Sequence, residues 1–390
     1  MSWLLYPFRV VWRFWTVPIR AEPLAAFRIL LGAVMLAALL TGLAWRLPDA
    51  LGDDPLVPAE TRYKWFEHSG RFSLLTGPVG IPFLGKWIPK ELGGETPTGK
   101  AVQELLPKPQ AEAWRRWGKH PSTAYWLFAL WIVSLAGMTA GFRTRLCTFV
   151  AWVLASTFNN SLVEFINGGD YVYRNGLWFL LIAPAGATWS VDAWLRQRSR
   201  ARRGVPEPPG PVMIEPWSVR LIQLQVCFRY FFVGATKLSD IGWASWPADW
   251  SEWPGWFFTG GFIPNKGDWI DGTALYWVLN DVALMRWSYA QFPLPLWVCQ
   301  LMTWGTLFFE LGFAFLVMSR WLRGPLLVFG LMLHLGILVV MEIGWFSQIT
   351  LCWYVVFLSG EKVAAAADWL LGREPPPEAE TEADPVPEAA

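Results

Sequence analysis

Eight stretches of the chain are apolar over roughly the 20 residues that a helix needs to cross a bilayer. They run over about 24–45, 124–141, 146–165, 172–188, 217–238, 294–319, 325–341 and 343–360. Hydrophobic residues make up 54% of the 390 and charged residues only 16%, where a soluble domain carries about 25% charged. The apolar surface therefore exceeds what a soluble core needs, and the expected fold is an all-α integral membrane bundle of about eight transmembrane helices. Tryptophan, at 29 residues, fits headgroup boundaries, where an amphipathic ring has both phases within reach. A formal net charge of +1 argues against nucleic acid as a partner.

Orientation follows from where arginine collects, because short basic loops stay cytoplasmic. "GFRTRL" follows the second run, "RQRSRARR" the fourth and "SRWLRG" the sixth, and Arg9, Arg13 and Arg20 precede the first. All fall on one side, which places both termini in the cytoplasm and gives the outer face the long loops 46–122 and 239–293. Residues 1–23, beginning "MSWLLYPFRVVWRFW", mix arginine with tryptophan and read as an amphipathic surface segment. The transmembrane domain is expected over 24–365, followed by an acidic, Pro-rich tail at 366–390 with too little apolar content to order itself. The expected location is a bacterial inner membrane, with membrane lipid as a partner.

The four cysteines, Cys147, Cys227, Cys299 and Cys352, lie singly in apolar runs and read as packing residues. Histidines at 68, 120 and 334 offer no ligand cluster, so no metal is expected. HExxH, GxSxG and phosphate-binding glycine motifs do not occur.

Ionisable groups within apolar runs are costly and usually face a partner inside the bundle. Arg229, Glu310 and His334 sit near the middle of the fifth, sixth and seventh runs. Helical spacing sets Arg229 on a stripe with Gln225 and Thr236, and Glu310 on one with Thr303 and Thr306, so an Arg229–Glu310 pair is expected. It serves either helix packing or proton transfer and headgroup binding. A second set gathers at predicted outer helix ends: Asn159, Asn160, Glu164, Asp170, Arg174, Lys237, Asp240 and Glu342. These either line an outer-leaflet cavity or simply mark where spans stop. Lys237, in "RYFFVGATKLSD", is either a snorkelling anchor or a base in a partly desolvated site.

The stretches "RAEPLAAFRILLGAVML", "GMTAGFRTRLC", "YVYRNGLWFLLIAPAGATWSVDAWL", "LIQLQVCFRYFFVGATKLSDIGW" and "HLGILVVMEIGWFSQ", in this order, resemble the vitamin K-dependent γ-carboxylases and the wider horizontally transferred transmembrane-domain group. The resemblance implies an eight-helix bundle with chemistry near its extracytoplasmic face. It also implies a reduced quinone, a vitamin K-like hydroquinone, as cofactor, with Lys237 of "GATKL" as the base that deprotonates it. Asp170 or Glu164 becomes the second proton-transfer group, and Asn159, Asn160, Arg229, His334 and Glu310 line the quinol's surroundings. A secreted peptide is the implied substrate. Where the carboxylases have an Asn-His pair before their "YLY", this chain has Gly168, Gly169 and Asp170, and their large soluble domain is not expected here. The alternative from the same group is a non-enzymatic maturation, immunity or lipid- or peptide-binding factor.

Overall fold

The computed structural model describes residues 12–58, 73–75, 120–162, 167–238, 269–287 and 293–373. It is mostly helical, and each of the eight apolar runs contains helix. Helix α1 (Glu22–Ala38) continues through a π-turn (Leu39–Leu43) into α2 (Ala44–Leu51). Next come α3 (Pro121–Ala140), α4 (Thr144–Ser161), α5 (Gly168–Ile182) and α6 (Val191–Arg202). The second half holds α7 (Trp217–Leu238), α8 (Ala274–Asn280), α9 (Leu296–Leu316) and α10 (Arg323–Val340). It closes with α11 (Phe346–Cys352), which tightens into a 3-10 turn (Trp353–Phe357), and α12 (Gly360–Leu370).

Among the described residues, four helices are long and apolar enough to cross a membrane: Glu22–Leu51, Pro121–Ala140, Leu296–Leu316 and Arg323–Val340. Their outward faces carry exposed Trp126, Val133, Phe308, Phe315, Val328 and Met332. A soluble protein does not leave so many large apolar side chains bare along its helices, and the pattern is that of an integral membrane protein.

Three expected boundaries move, and one is the fourth run, expected to residue 188, whose helix ends at Ile182. The first run does not stop at residue 45 but stays helical to Leu51, with Pro48 inside α2, so the loop expected from residue 46 begins as helix. The described part of the expected surface segment is helical over 12–16, then forms β1 (Ile19–Arg20), which pairs antiparallel with β2 (Met213–Ile214). That small sheet ties the chain entering α1 to the chain entering α7. The expected outer loop 239–293 contains α8.

The core is aromatic. Trp131 and Trp353 are fully buried; Trp131 stacks on Phe158 at 5.2 Å between centroids, and Trp353 meets Phe27 at 5.0 Å. Arg28, nearly two turns into α1, is buried, and its guanidinium donates to the carbonyls of Ala185 (2.7 Å) and Trp189 (2.5 Å). Gly141 ends α3 with φ 72°, a left-handed cap that glycine adopts without strain. A side chain there would also collide with Ser190 and the Arg28 guanidinium.

Asp192 of α6 serves the start of α4. Its carboxylate accepts from the Arg143 and Thr144 amides (both 2.8 Å) and from Thr144 Oγ1 (2.7 Å). Burial pushes its pKa up, but these hydrogen bonds and the nearby Arg196 outweigh burial and hold the group below the usual carboxylate range.

Candidate functional site

Helices α7 and α9 pack antiparallel, with Tyr230 against Phe313 (4.7 Å between centroids) and Gly234 against Glu310 and Leu311. The missing side chain at Gly234 permits this approach: an added Cβ would lie 3.1 Å from the Glu310 Cβ. Lys237 is three residues further on, about 60° around the helix from Gly234, and faces the same contact. Its Nζ donates to both Glu310 oxygens, at 2.6 and 2.7 Å. The two side chains are 20% and 9% exposed. The Trp269 ring covers the ammonium at 4.1 Å, a cation–π contact.

This corrects the expected Arg229–Glu310 pair. Arg229 lies five residues before Gly234, about 140° around the helix and 7–8 Å along it, so it faces away from Glu310. Its guanidinium instead stacks over Trp353 at 4.4 Å, and both terminal nitrogens are buried without a hydrogen bond. No sequence pattern marks Trp353 as its neighbour.

His334 is buried and belongs to a third arrangement. Its Nε2 lies 2.7 Å from the Tyr230 hydroxyl, which lies 2.7 Å from the Tyr354 hydroxyl. Phe309 and Phe313 flank Tyr230, and Phe346 lies 5.9 Å from the imidazole. Sequence reasoning missed both tyrosines, because a tyrosine in an apolar run reads as an interface residue. A histidine within the same bundle was the available signal, since a buried imidazole needs a hydroxyl or carbonyl partner.

Part of the outer cluster does converge. A cavity of about 300 Å³ is lined by Asn159, Asp170, Tyr173, Glu342 and Arg46, with Trp131, Phe158 and Trp345 as walls. The π-turn contributes Thr41, Gly42 and Leu43 to the same wall, and π-turns inside helices recur at functional sites. Asn159 is held at both ends: Oδ1 accepts from Tyr173 Oη (2.6 Å), and Nδ2 donates to the Asp170 carbonyl (3.4 Å).

Asp170 Oδ2 accepts from the Asn167 amide at 2.6 Å while the Asn167 side chain caps the start of α5. This capping box gives the carboxylate a structural task. Asn160 turns toward Arg174, 3.5 Å from Nη1, and does not line the cavity. Glu164 and Asp240 lie outside the described residues.

Lys237 and Glu310 are not part of the cavity lining. The residues expected in one site are therefore divided among an ion pair between α7 and α9, a tyrosine–histidine file beside it, and a cavity between α1, α4 and α5. Among the described residues, no three histidine, cysteine or acidic side chains are grouped to hold a metal ion.

No family model, curated protein or solved structure matches the chain.

Proposed function

We propose that the chain is an eight-span membrane protein, both termini cytoplasmic, that carries out proton-transfer chemistry on a reduced quinone drawn from the bilayer. The observation that carries this is the inward turn of Lys237. A snorkelling lysine extends to water; this one is folded back between a carboxylate and an indole ring. The order of motifs that resembles the γ-carboxylases supports the same role, since the resemblance would set Lys237 where their quinol base stands.

The residues suit a quinol ring. Trp269 offers an aromatic face beside Nζ, and a lipid-borne ring can reach a helix end laterally. A reduced quinone would supply an acidic ring hydroxyl. The pair supplies the means to accept its proton: transfer from Nζ to the Glu310 carboxylate leaves a neutral amine beside a neutral acid. The amine can then take up one proton, and the ammonium so formed balances the negative charge left on the proton donor while Glu310 stays a neutral acid. In a low-dielectric setting a shift between charged and neutral pairs is accessible, whereas ionising one partner alone is costly. The further expectations are a secreted peptide as the group acted upon, with carboxylation or epoxidation as the reaction, in a bacterial inner membrane.

Support for the orientation comes from how the basic turns gather. Asp192 joins the 141–146 turn to α6, Arg28 joins α1 to residues 185–189, and Arg20 meets Glu361 of α12 at 3.8 Å. The 141–146 turn, α6 and the entry to α1 thus share one end of the bundle.

One observation favours the non-enzymatic alternative. The ion pair is two-pronged, the geometry of a clamp between helices, and such a clamp needs no chemistry. Lys237→Arg separates the two, because arginine keeps the charge but does not release a proton. In proteoliposomes supplied with a reduced naphthoquinone and dioxygen as the oxidant, wild type should consume the quinol above the protein-free rate, and folded Lys237→Arg should not. Equal consumption by the variant overturns the base assignment and leaves a packing clamp.

A further inference from the structure

At the opposite end of the bundle from Lys237, the 143–146 turn, residues 183–190 and α6 enclose a cavity of about 1080 Å³. Arg143, Arg145, Arg196 and Arg200 line it. The acidic side chains beside them are committed elsewhere: Asp192 to the start of α4, and Glu207 to Gln197 Nε2 at 2.7 Å. Arg196 is committed too, donating to the carbonyls of Gly186 (2.6 Å) and Ala187 (3.1 Å). Arg143, Arg145 and Arg200 form no ion pair among the described residues. The lining thus carries four guanidinium groups against two carboxylates, an excess of positive charge.

The cavity is a built feature. Buried Arg28 fixes one wall through Ala185 and Trp189, and Arg196 fixes it again. Arg143 and Trp189, both on the lining, hold positive φ of 41° and 49°, a conformation that non-glycine residues rarely keep unless their surroundings enforce it.

Helix α6 has no buried residue. Trp194 (52% exposed) and Leu195 (44%) stand bare on it, and Leu146 (55%) stands bare at the neighbouring turn. A helix that mixes bare tryptophan and leucine with arginine at Arg196, Arg198, Arg200 and Arg202 fits the headgroup layer and not bulk water.

We propose that this cavity binds the phosphate of an anionic phospholipid, with Arg143, Arg145 and Arg200 around the headgroup and Trp194 and Leu146 against its acyl chains. The cleft opens beside apolar helices at the end of the bundle. There a lipid can offer a phosphate and hydrocarbon together, and a free anion offers only the first. Basic pockets between membrane helices recognise acidic headgroups on this principle. The inference rests on the membrane reading but is independent of the quinol chemistry.

The test is native mass spectrometry of purified protein exchanged into phosphatidylglycerol or phosphatidylcholine nanodiscs. Wild type should retain phosphatidylglycerol at least tenfold over phosphatidylcholine, and retention should fall about fivefold for each charge removed in Arg143→Gln, Arg145→Gln and Arg200→Gln. The matching lysine variants should retain most of the preference. Equal retention of the two lipids, or a triple glutamine variant with an unchanged preference and wild-type helical content, overturns the proposal. So does inorganic phosphate that displaces phosphatidylglycerol from the detergent-purified protein at equal concentration, since it assigns the site to a free anion. Failure to enter nanodiscs at all would instead refute the membrane reading.

Discussion

Lys237 on α7 and Glu310 on α9 share a two-pronged ion pair, with Nζ 2.6 Å from one carboxylate oxygen and 2.7 Å from the other. Removing one partner leaves the other buried and uncompensated, which costs on the order of 3–5 kcal/mol. Lys237→Met and Glu310→Leu should each lower thermal stability in detergent by that order, and the double variant should recover much of the loss. The same cycle with Arg229→Met and Glu310→Leu should be additive. Coupling between Arg229 and Glu310 as strong as that with Lys237 would contradict the pairing.

Gly234 sets the distance between these helices. Gly234→Ala places a methyl group 3.1 Å from the Glu310 Cβ and from Leu311, and overpacking of this kind costs about 1–3 kcal/mol. Gly336→Ala, in α10 with nothing near the added methyl, should stabilise by about 0.4–1 kcal/mol. Paired unfolding measurements check both, and a neutral Gly234→Ala would mean that the helices are not in close contact there.

Tyr230 bridges two polar groups with one hydroxyl. Tyr230→Phe keeps the ring packing but removes a partner from both His334 and Tyr354. A loss of about 1–3 kcal/mol is expected, with strong coupling to His334→Phe in a double-mutant cycle. Additive losses would break up the network.

Acid should loosen the junction of α4 with α6. The folded-state pKa of Asp192 lies below its ordinary value, so its contribution is complete above the ordinary carboxylate range and is lost as pH falls through the lowered folded value. Asp192→Ala should cost about 0.5–2 kcal/mol at neutral pH, the usual effect of losing a cap. It should also flatten the acid limb of the stability curve. An acid limb as steep as wild type would assign the sensitivity to other carboxylates.

Orientation is checked by single cysteines at Arg198 and Val282, both exposed. In intact cells position 282 should react with an impermeant thiol reagent, and position 198 only after the membrane is opened. The reverse pattern would invert the topology.

The helical runs were legible because hydropathy is a property of consecutive residues, and each run does hold helix. Contacts between runs were not. Counting from expected ends set Arg229 and Glu310 at one depth, but the antiparallel register puts Gly234 opposite Glu310, and a glycine has no side chain to announce that contact. Asn159, Asp170 and Glu342 could be grouped in advance because all three sit at helix ends on one side. Lys237 shared that side but turns toward α9. Arg28 went unremarked although it interrupts "LAAFRILL"; its partners are backbone carbonyls, which every residue has and no pattern distinguishes.

Arg28 also sets an order of events during synthesis. Its carbonyl partners come 157 and 161 residues later in the chain, an interval of about 10–30 s at translation rates of about 5–20 residues per second. Through that interval the first helix carries an unsatisfied guanidinium, whose long stem lets the charge rest at the lipid surface. Arrival of residues 185–189 then draws the charge inward, so the first helix reaches its final depth only after the fourth apolar run has been made.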